Sequence, residues 1–204
     1  MRSGRRDVAD GSLTPEQILD AAEDVLRRFG PQKTTVVDVA RALGVSHGSI
    51  YRHFPSKTAL REAVARRWLH RVAAPLGQIA AGDGPALPRL RRWLDRLMAL
   101  KRAKVLDDPE LFAVYHALSA DAGDVIDAHV AELIDQVARI LADGMVAGDI
   151  RLGEPKAMAR AVLTATAAFH HPAHAATWRD PLIDQTFEAV FDLLVTALAP
   201  PALA

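Results

Sequence analysis

Two short segments with apolar faces, separated by Leu43-Gly44-Val45, constrain this chain of 204 residues more than any other feature of it. Thr35 precedes the first of them with Asp38 three positions on, the reciprocal arrangement that caps a helix start. Val39, Ala40 and Leu43 follow at helical spacing. Gly44 can take the left-handed conformation that a tight turn requires. Ser46 caps the second segment, which carries Ile50 and Phe54 inward until Pro55 ends it. Helices this short need a neighbour to cover their apolar faces, and the sequence supplies one upstream. Thr14-Pro15-Glu16-Gln17 marks its start, Ile18, Ala22, Val25, Leu26 and Phe29 form its apolar face, and Gly30-Pro31 stops it. The prediction is a helix-turn-helix closed by a third helix.

Turning the second short helix by about 100° per residue sorts its side chains. With Ile50 and Phe54 inward, Gly48, Ser49, Arg52 and, to one side, Tyr51 look outward, while His47 and His53 flank the buried edge. Such a face suits close approach to a duplex: a guanidinium can fork onto guanine, and a glycine lets backbone and groove edge meet. Ser46, Tyr51 and Lys57 are placed for phosphates, and the capped starts at Thr35 and Ser46 can offer backbone N–H groups to phosphate oxygens.

These residues carry a resemblance. Thr34-Thr35, Val39-Ala40, Gly44-Val45-Ser46, Gly48, Tyr51-Arg52-His53-Phe54, Ser56-Lys57 and Leu60 resemble the DNA-binding domain of the TetR family of bacterial transcriptional regulators, over about Pro15 to Trp68. The resemblance implies an all-α homodimer whose recognition helices enter successive major grooves of a pseudo-palindromic operator on double-stranded DNA. It places Thr35, Ser46, Tyr51, His53 and Lys57 as phosphate contacts and His47, Gly48, Ser49 and Arg52 as base readers. For His53 this differs from the helical wheel, which leaves it free to pack or cap.

Downstream, a fourth helix opens at Ser56-Lys57 and runs through Leu60, Val64 and Trp68. The Gly- and Pro-rich stretch 76–88 reads as the junction between regions. Long helices follow at about Leu87 to Leu106, Gly123 to Ala147, from Pro155 with an interruption near Pro172, and Pro181 to Leu198, with a short one from Pro109. With no period-two alternation, the second region is predicted to be a helical bundle. The expected organisation is an arm over 1–13, the DNA-binding domain over 14–72, and a ligand-binding and dimerisation domain over 73–204. The resemblance implies that the larger domain holds a small-molecule effector and that its last two long helices form the dimer interface; AMARAVLTATAAF and TFEAVFDLLVTAL fit that role through their small residues.

Polar and aromatic side chains on otherwise apolar helices are the candidates for the effector site: Trp93, Tyr115, His116, His129, Phe169, His170 and Trp178. His170, His171 and His174 lie close enough in sequence to suggest a metal, but Pro172 breaks the helical register, so no metal and no cofactor are expected.

The formal charge of zero conceals a gradient. Met1 to Lys104 hold 20 Lys and Arg against 10 Asp and Glu, and the remainder holds 5 against 15. The basic part suits a polyanion, and the acidic part argues against a nucleoid-like binder that coats DNA along its whole length. Because Arg89, Arg91, Arg92, Arg96, Lys101, Arg102 and Lys104 continue the positive run, the helix after the junction is expected toward the DNA-facing side. With no cysteine, thiol chemistry is excluded. No G-x-S-x-G, phosphate-cradling glycine loop or H-E-x-x-H supports an enzyme. No apolar leader or membrane span is apparent, so a cytoplasmic protein is expected.

Overall fold

In the computed structural model, residues 13–107 and 123–200 are described. They form α1 (Pro15–Lys33), α2 (Val36–Leu43), α3 (His47–Tyr51), α4 (Lys57–Ala81), α5 (Ala86–Asp107), α6 (Gly123–Ala147), α7 (Pro155–Ala165), α8 (Ala167–His170), a 3-10 segment (Pro172–Arg179) and α9 (Ile183–Leu198). No strand occurs among the described residues, and the fold is all-helical as predicted. Two compact units meet in sequence between Val64 and Ala65. The arm, the helix expected at Pro109 and the candidates Tyr115 and His116 lie outside the described residues.

The first unit follows its local chemistry. Thr14 and Gln17 exchange capping bonds of 3.2 and 3.0 Å, and Thr35 does the same with Asp38. Gly30 (φ +74°) breaks α1 at the predicted place, leaving a further turn to Lys33. Gly44 ends α2 in the left-handed region at φ +68°. Ile18, Ala22, Val25, Leu26, Val39, Ala40, Ile50, Leu60 and Val64 are its buried apolar core. Phe29 is a correction: it is 56% exposed within the chain, at the end of the apolar face, one residue before the helix breaks at Gly30. Phe54 and Leu43 are half-buried rather than central.

The second unit departs from the sequence reading at its start. The stretch 76–88 is not a linker, for α4 runs on to Ala81 through Pro75 and only residues 82–85 separate it from α5. Its core is built by Leu76, Leu90, Trp93, Leu94, Leu97, Ile140, Leu141, Val162 and Phe169, all nearly inaccessible. Gln136 of α6 joins three helices: it accepts from Trp93 Nε1 at 3.0 Å and donates to the Ala73 carbonyl at 3.1 Å.

The positive run along α5 does not persist in space. Arg89 is buried and pairs with Asp143 at 2.9 Å, Arg91 pairs with Asp95 and with Glu188 at 2.5 Å, and Arg102 pairs with Asp184 at 2.8 Å. Lys101 is buried as well. The acids that give the second half of the sequence its negative charge therefore neutralise α5, and of this run only Arg92 and Arg96 stand exposed as simple surface cations among the described side chains.

Gly144 fixes how closely α5 approaches the end of α6. A Cβ there would lie 2.5 Å from Ile150 Cγ1 and nearer still to the Ala86 Cβ. Gly144→Ala would gain about 1 kcal/mol of helix propensity but lose about 1–3 kcal/mol to overpacking against a methyl carried on backbone. We expect a net loss on the order of 1 kcal/mol, visible as a lower urea midpoint with an unchanged slope.

Candidate functional site

The outward side of the helix-turn-helix brings most of the predicted DNA contacts together. Ser46, His47, Gly48, Tyr51, Arg52 and His53 are exposed, and Ser49 and Lys57 are half-buried. A chain of hydrogen bonds organises this face. Ser46 Oγ accepts from the Ser49 amide at 3.2 Å and lies 3.0 Å from Ser49 Oγ, which accepts from Arg52 Nη2 at 3.2 Å. One edge of the guanidinium is thereby held while the rest of its fork is left for another acceptor. His47 and Tyr51 meet edge to face with ring centroids 6.3 Å apart.

Two positions differ from the helical wheel. His47 and His53 are exposed, not at a buried edge, and for His53 the reason is that α3 ends at Tyr51, so the wheel does not continue to that position. Thr35 gives both its donors to Asp38, the hydroxyl at 2.6 Å and the amide at 3.0 Å, and so starts α2. That bonding, with Arg41 alongside, holds the Asp38 carboxyl below its ordinary range. Gly48 has no need of its glycine inside the chain: an added Cβ would find only Ser46 Oγ, at 3.8 Å.

The effector candidates separate into core and cluster. Trp93 is inaccessible and bonded to Gln136; Trp178 donates to the Ala168 carbonyl at 2.9 Å; Phe169 packs edge to face on Phe187, centroids 5.2 Å apart. His129 and His170 are buried polar groups. His170 Nε2 lies 3.2 Å from Thr166 Oγ1, whereas His129 Nε2 has no hydrogen-bond partner among the described residues. Sequence reasoning missed Lys101, although Trp93, Leu97 and Lys101 recur every fourth residue on one face of α5. Lys101 is 7% exposed, with its ammonium 5.7 Å from the Trp68 ring centre, and burial draws its pKa down to about 8. Of the histidines of 170–174, His170 turns inward, while His171 and His174 are exposed with ring centroids 6.1 Å apart, and His171 uses Nδ1 to accept from the Ala173 amide. No group of three potential metal ligands occurs among the described residues. An open hollow of about 610 Å³ between α4 and α6, lined among others by Gly77, Glu132 and Arg139, contains none of the predicted candidates.

Two family descriptions match this chain: bacterial regulatory proteins of the tetR family over residues 18–64, and the tetracyclin repressor-like C-terminal domain over residues 86–191. The chain belongs to the TetR family of bacterial regulators, since the second match alone covers more than half of it. It is 30% identical over 131 residues to the HTH-type transcriptional repressor KstR of Mycolicibacterium smegmatis, a region that is 63% of each chain. The match thus spans less than two thirds of KstR. Among solved structures, a Rhodococcus sp. RHA1 protein of unknown function is 26% identical with a TM-score of 0.65, covering 96% of this chain and 100% of its own. SmeT, the repressor of the Stenotrophomonas maltophilia efflux pump SmeDEF, shares the fold at 20% identity and a TM-score of 0.61, covering 93% and 92%. A second SmeT structure is a complex with triclosan. No described helix is long and apolar enough to cross a membrane.

Burial and the Lys101 charge oppose protonation of both imidazoles, holding His129 at about 3 and His170 at about 4 against an ordinary 6.5. Below 6.5 the unfolded chain takes up protons that the folded chain refuses. Stability is therefore full above about pH 7, falls as pH drops, and at about pH 5 has lost about 2 kcal/mol per imidazole. Urea unfolding at about pH 7 and pH 5 should show this loss, and His129→Leu should remove about half of it.

Proposed function

We propose that this protein is a repressor that binds a pseudo-palindromic operator as a homodimer and leaves it when a small molecule occupies the second unit. The observation that carries the DNA reading is the face of α3, where a glycine free of internal demands sits beside a pre-oriented Arg52. A helical glycine costs about 1 kcal/mol relative to alanine, a cost understandable if a groove edge must pass there. Arg52 with Ser49 and His47 then reads bases, while Ser46, Tyr51, His53 and Lys57 hold phosphates.

The dimer reading is supported by what α7 and α9 leave open. Each has one face in the core, through Ala159 and Val162 or Phe187 and Phe191. The other face of α7 exposes Ala157, Ala161 and Thr164, and that of α9 exposes Ala189, Leu193 and Ala197. Leu193 is 71% exposed within the chain, and small neighbours allow a partner helix to approach closely. An effector that binds better to a conformation with a changed spacing of recognition helices releases the operator through that difference in affinity. The triclosan complex of SmeT supports the compatibility of this fold with such a ligand.

Fluorescence anisotropy with DNA flanking the protein's own gene tests the reading. We expect binding at least about a thousandfold tighter than to random DNA; equal affinity would refute it. Arg52→Ala should relax base preference, and Lys57→Ala should weaken every site and reduce the salt slope by about 1. Leu193→Glu should give a monomer in light scattering and lose tight operator binding; a persisting dimer would move the interface elsewhere.

A further inference from the structure

The two helices that leave a small-residue face open also carry charges in order along their edges. Arg151, just before α7, donates from its amide to the Leu198 carbonyl at 2.9 Å and from Nε to the Ala197 carbonyl at 2.8 Å. Beyond the other end of α7, Phe169 packs on Phe187. α7 and α9 thus run in opposite directions, with Arg160 midway between 151 and 169 and Asp192 midway between 187 and 197. On α7, Lys156 reaches Asp135 of α6 at 2.7 Å, and Arg160 follows one turn later along the same edge. On α9, Asp184 and Glu188 receive Arg102 and Arg91 of α5, and Asp192 follows one turn later along that edge. Both Arg160 and Asp192 are exposed. The layer made by the two helices therefore has a cation at its α6 edge and an anion at its α5 edge, at one height, with Ala157, Ala161, Ala189 and Leu193 exposed between them.

A surface that pairs with a second copy of itself must be complementary to its own image under a twofold rotation. Two rotations bring this layer face to face with its copy. An axis along the helices lays α7 of each subunit on α9 of the other and exchanges the edges without changing height, so Arg160 stands opposite Asp192 of the partner subunit, twice per dimer. An axis across the helices lays α7 on α7 and α9 on α9, and sets cation against cation and anion against anion. Opposite charges at the rim of an interface attract modestly, whereas like charges facing each other are strongly unfavourable, so the edge charges discriminate between the two arrangements. We propose that Arg160 and Asp192 of the partner subunit form two symmetry-related ion pairs that fix the rotation of the dimer and make the small-residue strip selective for a second copy of this chain. This assignment rests on the reading that α7 and α9 form the dimer face.

The test uses the full chain, with light scattering over a dilution series and subunit exchange between a tagged and an untagged copy. Arg160→Asp and Asp192→Arg should each weaken the homodimer at least about tenfold, with helix content by circular dichroism unchanged because both side chains are exposed. Mixed in equal amounts, the two variants should form a heterodimer as tight as the unaltered homodimer, since each of its two pairs again joins opposite charges. The chain that carries both substitutions should dimerise with itself and refuse exchange with the unaltered chain. Single variants that dimerise as tightly as the unaltered chain, or a mixture that fails to recover the dimer, overturn the pairing. Where a single variant loses helix content, the doubly substituted chain decides: self-association without exchange supports the pairing, and free exchange with the unaltered chain overturns it. Leu193→Glu separates this assignment from the reading beneath it. If the pairing fails while Leu193→Glu still gives a monomer, the face stands and is used under another rotation; a dimer that persists in Leu193→Glu removes both.

Discussion

The second unit is held in register by one amide. Gln136 has two obligations, an indole N–H from α5 and a main-chain carbonyl from α4, and its amide meets both with its oxygen and its nitrogen. Each bond contributes only about 1 kcal/mol net, but an unpaired indole N–H at the centre of the core would cost about 1–3 kcal/mol. The amide therefore specifies which turns of α4, α5 and α6 face one another. The positions of Lys101 and His129 follow from that register, as do the close approach at Gly144 and the packing of Trp93. Mutual satisfaction of a few buried polar groups, more than apolar area, selects this arrangement of helices from others that bury similar surface.

The reading head depends on shorter-range chemistry, and this is why it was legible in the sequence. Thr35 with Asp38, Ser46 with Ser49 and the left-handed Gly44 lie within a few residues of their partners, so spacing alone announces them. Gly148 at φ +82° ends α6 for the same reason. Helix boundaries in the second unit were also legible wherever a proline or glycine coincided with the end of an apolar period. Pro75 shows the limit of that signal, because α4 carries this proline through its interior.

What the sequence concealed lies at long range. Arg91 and Glu188 are separated by 97 residues, and Arg102 and Asp184 by 82, so the charge gradient gave no hint that its halves would neutralise each other. The guanidinium of Arg91 also lies 5.1 Å from the Phe187 and Phe191 ring centres, so the cation serves packing as well as charge. Lys101 was overlooked because lysine on a basic helix reads as a solvated residue. Its four-residue spacing from Leu97 was the available clue, but only burial distinguishes it from its exposed neighbours Arg92 and Arg96. His53 was misplaced for a simpler reason: a helix of five residues ends before the wheel can be trusted.

The brevity of α3 has a thermodynamic consequence. Five residues that include a glycine cannot sustain a helix in water, and here the buried Ile50 and the Ser46 cap supply the order that the segment lacks by itself. Its amides should therefore exchange with solvent through local opening, well before the amides of α6 that require global unfolding. A bound duplex would close that local equilibrium, so some of the binding free energy goes into completing the fold of the surface that makes the contact.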